Sequence, residues 1–147
     1  MKIFFGGIIQ GSNRGSDIHA QHYRFEIKDF IRRHLPKAEI FDPFEGHESS
    51  VDYDDSRARE TFFAHLEFVR KADLLIAYLP QASLGTAIEM WEAYRHGVPI
   101  LSISPMTTNW IIRLLPFRNF ETAADFESFI IAGGINEIRN MRMGIMK

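Results

Sequence analysis

The stretch ADLLIAYLPQASLGTAIEMWEAYRHGVPILSIS, residues 72–104, decides how the chain is read. Residues 74–79 form an unbroken apolar run, as expected of a strand buried on both faces. From Gln81 the pattern turns helical and ends at Gly97, which takes the position just past the helix, with Arg95 and His96 in the last turn. Residues 98–104, VPILSIS, then read as another strand. A strand, a helix and a strand in this order make one right-handed crossover of a parallel sheet.

The same grammar extends both ways. KIFFGGII opens the chain as a buried strand and runs into a glycine-rich loop, GGIIQGSNRGSD. Residues 18–35 carry apolar side chains at Ile18, Tyr23, Phe25, Ile27, Phe30, Ile31 and Leu35, a helical pattern with Asp17 as N-cap and Pro36 as its stop. AEIFDPF is a second strand, and EGHESSVDYDDSRAR a polar loop. ETFFAHLEFVRKAD is a second helix with Phe62, Leu66, Val69 and Ala72 on one face. TTNWIIRLL reads as a short helix, FRNFET as a fifth strand, and residues 123–144 as a helical tail. The expectation is one α/β domain over residues 1–147: a doubly wound parallel sheet of about five strands with helices on both faces.

Composition narrows the function classes. The chain has 147 residues, 46% hydrophobic and 24% charged, with a formal net charge of -2. That fits one globular core and gives no basic field for a nucleic-acid polymer. There are no cysteines, which removes disulfides, thiolate metal sites and thiol nucleophiles. His19, His22 and His47 have no metal-ligand spacing, so neither a metal nor a cofactor is expected. The first residues lack the apolar length of a signal peptide, and no run approaches a membrane span, so a cytoplasmic location is expected.

Doubly wound sheets bind ligands beyond the carboxyl ends of their strands. Three loci fall there. Gly6, Gly7, Gly11 and Gly15 let backbone N–H groups approach an anion, or simply form a flexible turn. Thr86-x-x-Glu89 has the spacing of a capping box, with Glu89 in the first helical turn. The same carboxylate lies at the edge of the ligand crevice, where a helix N-terminus would keep it ionised, as suits a nucleophile or an electrostatic partner for a cationic transition state. His65 lies on the apolar stripe of the second helix, as a core residue or as a group reaching the crevice. Ser83, Thr86 and Asn109 are small polar groups on crevice-side loops.

KIFFGGIIQG together with ADLLIAYLPQASLGTAIEMWEAYRHGVPI resembles the nucleoside 2-deoxyribosyltransferase family, which includes deoxynucleoside 5′-monophosphate N-glycosidases. Ser-Leu-Gly-x-x-x-Glu is the specific part. The resemblance implies a flavodoxin-like sheet and a homodimer or larger homo-oligomer whose subunits share sites. FFAHLEF and NWIIRLLPF are aromatic enough for a buried subunit face. It implies a small nucleoside or nucleotide as substrate, with no membrane or nucleic-acid partner. Glu89 stands at the position of the catalytic glutamate, which attacks the anomeric carbon. Gly7, Ile9, Gln10 and Gly11 stand where the first loop lines the sugar and phosphate. Ser83 and Gly85 stand where the 5′ group is held, and Asn109 and Ile111 in the segment that a neighbouring subunit contributes. A serine rather than a carboxylate at position 83 favours a monophosphate. Members often have a tyrosine in the first strand where this chain has Phe4, and an aspartate acting on the leaving base where it has His65. A histidine can donate that proton from a near-neutral pKa. The alternative is a catalytically altered nucleotide- or nucleotide-sugar-binding module.

Overall fold

The computed structural model describes residues 1–145, with side chains through residue 140. Five strands form one parallel sheet: β1 (Lys2–Gly7), β2 (Glu39–Phe41), β3 (Leu74–Tyr78), β4 (Ile100–Ile103) and β5 (Arg118–Phe120), in the order β2-β1-β3-β4-β5. The order reverses between β1 and β3, which pair from Ile3↔Leu74 to Gly7↔Tyr78. β2 is short: it pairs with β1 only as far as Phe4↔Phe41 and leaves the end of β1 without a neighbour on that side.

The period-2 alternation of β1 divides the core. Ile3 and Phe5 face α1 (His22–His34), α5 (Ala123–Ile131) and α6 (Ile135–Ile145), packing with Tyr23, Ile27, Ile31, Phe126 and Ile130. Phe4 faces the opposite layer, α2 (Asp55–Arg70), α3 (Leu84–Arg95) and α4 (Trp110–Leu114), packing with Val69, Met90, Ala93 and Ile112. β3 alternates in the same way and is buried on both faces, as its apolar run requires.

Four boundaries depart from the sequence reading. Asp17 does not cap α1, which begins at His22 after Gln21. The preceding segment stays non-helical because other bonds claim it: His19 N–H donates to the Ile9 carbonyl at 2.7 Å, and Gln10 Nε2 to Gly15 at 2.7 Å. Gly11 and Gly15, with φ of 58° and 61°, allow its turns. α2 starts five residues early, where the Asp54 side chain accepts from Arg57 N–H. α3 starts at Leu84, with Ser83 as N-cap accepting from Thr86 N–H. The tail divides into α5 and α6 at Gly133, which has φ of 83°.

Candidate active site

Ser83 as the N-cap changes the reading of Glu89. The helix has no acidic residue in its first turn, and Glu89 lies in the second turn. Thr86, Glu89, Met90 and Ala93 recur at helical spacing and are all buried, so this is the face turned to the sheet. The Thr86-x-x-Glu89 capping box is therefore absent, and Ser83 and Thr86 form the cap instead, at 3.4 Å between Thr86 N and Ser83 Oγ.

Glu89 rests on the end of β1. A methyl group built on Gly6 would lie 2.8 Å from Glu89 Oε2 and 3.6 Å from the Phe4 ring. Among the described residues no hydrogen bond reaches this carboxyl, and Glu89 is 9% exposed. Burial without a donor pushes its pKa up to about 8, against an attraction from Arg24 and with a smaller push from Asp42. Glu89 is therefore held as the carboxylic acid at neutral pH. The expectation that the helix end keeps it ionised fails, because it lies past the helix end and inside the core.

A cavity of about 690 Å³ opens over this point, between the β1–α1 loop, the segment before α2 and the first turns of α2 and α3. Gly7, Ile9, Gln10, Gly11, His65, Ser83, Gly85 and Glu89 all line it. Asn109 and Ile111 do not; Asn109 caps α4, accepting from Ile111 N–H at 2.9 Å, and both are exposed. The glycines differ in purpose. A side chain on Gly7 would strike the Tyr23 hydroxyl at 2.6 Å, so this glycine serves packing as well as the cavity, whereas Gly85 faces open space.

His65 lies at the α2 wall, its ring edge-on to Phe41 and His47, with centroids 5.6 and 5.3 Å away. Burial and the neighbouring imidazole lower its pKa to about 4. It is a neutral ring at pH 7, contrary to the near-neutral acid expected. Other cavity residues escaped the sequence reading. Ser50, Val51 and Tyr53 come from a short turn that Ser16 ties to the first loop through Asp52 at 2.6 Å, while Arg59 and Thr61 lie on α2. Below the first loop lies a buried ion cluster, in which Arg24 Nη1 meets Asp42 Oδ1 at 2.7 Å and Lys28 Nζ meets Asp42 Oδ2 at 2.6 Å. Its sequence signal was two cations, Arg24 and Lys28, spaced i, i+4 with Ile27 and Ile31 on the inward face of α1.

No family model matches the chain. Over 105 residues, 70% of this chain and 68% of the relative, it is 32% identical to a protein of Syntrophotalea carbinolica that carries the provisional name 2′-deoxynucleoside 5′-phosphate N-hydrolase 1. The 2-deoxyribosyltransferase of Bacillus psychrosaccharolyticus superposes with a TM-score of 0.63 at 21% identity, covering 86% of this chain and 90% of its own. A conserved protein from Enterococcus faecalis gives 0.65 at 21% identity, covering 89% and 97%. The two structures establish the fold alone. The sequence match carries the further step, and with it the chain belongs to the nucleoside 2-deoxyribosyltransferase family.

Proposed function

We propose that this protein hydrolyses the N-glycosidic bond of 2′-deoxynucleoside 5′-monophosphates, with Glu89 as nucleophile and His65 as proton carrier. The observation that supports this best is the placement of Glu89, a carboxyl group lying on bare glycine backbone in the cavity that His65 also lines. A substrate in this cavity, within the usual size range for small-molecule sites, has its sugar over Gly6 and its base toward α2. Ser83 and the open backbone at Gly85 favour a 5′-phosphate at the start of α3. Arg59 adds a cation to the cavity wall that has no ion-pair partner among the described residues. The name of the Syntrophotalea relative points to the same substrate class.

The protonation states of Glu89 and His65 supply the proton that the reaction needs. Glu89 begins as an acid and His65 as a neutral base. The Glu89 proton moves to His65 only as the C–N bond breaks, since an acid of pKa about 8 does not protonate a ring of pKa about 4 beforehand. The carboxylate bonds to the anomeric carbon as the C–N bond breaks, its electron pair going to the base nitrogen. His65 gives the proton to that nitrogen and the free base departs. Water cleaves the glycosyl ester, yielding 2-deoxyribose 5-phosphate and restoring the Glu89 acid. A carboxylate close to the oxocarbenium-like centre stabilises it before capture.

Incubation with the four deoxynucleoside 5′-monophosphates, their nucleosides and the ribonucleotides, read by released base, tests this. Release from the monophosphates, lost in Glu89→Ala, is expected; no release from any substrate contradicts it. The missing hydrogen bond to Glu89 favours a second reading, a binding module without turnover. Thermal stabilisation by a nucleotide recovered intact would support that one.

In the same proposal the active form is a homo-oligomer. Leu84, Ile88, Trp91 and Tyr94 on α3 join Trp110, Ile111 and Leu114 on α4 as exposed apolar side chains. A second copy covering them would bring its Asn109 and Ile111 toward the cavity.

A further inference from the structure

An unpaired carboxyl on the floor of a cavity raises the question of what holds that floor. β2 ends at Phe41, opposite Phe4, so the carbonyls of Phe5 and Gly7 along that edge of β1 have no strand to bond. Arg24 replaces the missing strand. Its Nη2 donates to the Gly7 carbonyl at 2.9 Å and its Nη1 to the Phe5 carbonyl at a longer 3.5 Å, while Nη1 also meets Asp42 Oδ1 at 2.7 Å. Nε donates to Gln21 Oε1 at 2.6 Å, fixing the plane of the guanidinium. Arg24 is 2% exposed and Asp42 4%.

The two bonded carbonyls flank Gly6. On the α1 side of the sheet lies Arg24; on the α3 side Glu89 Oε2 lies so close that even a methyl group on Gly6 would collide with it. Gly6 puts no side chain between the Glu89 carboxyl and the β1 backbone that Arg24 holds, and the guanidinium attracts that carboxyl. We propose that Arg24 is a positioning residue for Glu89: it grips the carbonyls on both sides of the glycine on which the carboxyl rests, and supplies a positive charge that attracts that carboxyl. This rests on Glu89 being the reacting group for its catalytic meaning, but not for its electrostatics.

The charged and titratable groups around Glu89 are Arg24 from α1 with Lys28 behind it, Asp42 after β2, the Tyr23 and Tyr78 hydroxyls, and His65 and Arg59 across the cavity. Arg24 favours the ionised carboxyl and Asp42 opposes it. Burial is what holds Glu89 protonated; Arg24 pulls against it toward the carboxylate, and Asp42 tempers that pull. Lys28 divides its charge between Asp42 and Glu45, 2.6 and 2.5 Å away, and so steadies Asp42 rather than Glu89.

The test is the titration of the Glu89 side-chain carboxyl by 13C NMR in protein labelled at glutamate, assigned by its loss in Glu89→Gln. Asp42→Asn should lower the midpoint, since the opposing charge is gone and Arg24 remains. Arg24→Lys keeps a charge but cannot span two carbonyls; kcat for base release should fall about tenfold while KM stays within about twofold, the sign of a lost transition-state alignment. A midpoint unmoved in Asp42→Asn, or wild-type kcat in Arg24→Lys, overturns the proposal. Should Asp42→Asn fail to fold, as judged by circular dichroism, Arg24→Lys decides alone. The titration needs no turnover, so failure of this proposal and failure of the proposed reaction are read separately.

Discussion

Glu89 and His65 carry opposite departures from their ordinary protonation, and each makes a prediction about stability. The Glu89 pKa is raised from 4.5 to about 8 by burial, so the stability it contributes is present in full below pH 4.5 and is lost as pH rises to 8. Glu89→Gln should melt above wild type by a gap that opens over this window and is constant beyond it, worth a few kcal/mol. Equal melting temperatures at pH 8.5 would contradict the buried acid. His65 runs the other way. Its pKa falls from 6.5 to about 4, so its stabilisation is present above 6.5 and is lost as pH falls through 4; His65→Asn should soften that acid loss. The two states also set the reaction profile. For the free enzyme kcat/KM should be flat between about pH 4 and 8, falling on the alkaline side as Glu89 ionises and on the acid side as His65 charges. An activity maximum at pH 9 would reject this assignment.

At the scale of single elements, the end of β1 and the start of α3 act as a pair. Gly6→Ala places a methyl group 2.8 Å from Glu89 Oε2, which must move the carboxyl; kcat should fall on the order of a hundredfold, with a smaller effect on stability. A Gly6→Ala enzyme with wild-type kcat would show that Glu89 does not react from this position. Asp54, the cap of α2, offers a control far from the chemistry: Asp54→Ala should cost about 1 kcal/mol, a drop of a few degrees in Tm, with kcat/KM intact. The element order was legible in the sequence because each strand is a short apolar run and each helix a 3.6-residue stripe. The starts of helices were not. Asp54, Asp55 and Ser56 look like loop residues until a cap is assigned, and placing the start of α3 at Gln81 rather than Leu84 turned Glu89 from a core carboxyl into a cap. The inward stripe of Thr86, Glu89, Met90 and Ala93 was present to be read, and a carboxylate on such a stripe is a stronger sign of function than one in a first turn.

Across the whole molecule, the sheet brings distant segments to one edge. The β1 loop, the turn before α2 and the N-terminus of α3 meet at the point where the strand order reverses, which is where parallel sheets place ligands. Gly7, Ile9, Gln10 and Gly11, and Ser83, Gly85 and Glu89, line this cavity as the sequence reading expected, because the glycine loop and the Ser-Leu-Gly-x-x-x-Glu motif are each contiguous. The ion cluster of Arg24, Lys28 and Asp42 was hidden, since its partners are 14 and 18 residues apart and the early end of β2 creates the need for it. Asn109 and Ile111 lie outside the cavity of their own chain. Leu114→Glu, in the exposed apolar face of α3 and α4, should convert the proposed homo-oligomer to a monomer in light scattering and reduce activity more than tenfold, as expected where two-sided burial is lost. A monomeric wild type of full activity would remove the shared site. The central claim is that the Glu89 carboxyl opens a nucleotide N-glycosidic bond. Chromatographic measurement of free base from deoxynucleoside 5′-monophosphates tests it most directly: the account predicts one base released per substrate consumed by wild type and at least about a thousandfold less by Glu89→Gln, and equal release by the two proteins would contradict it.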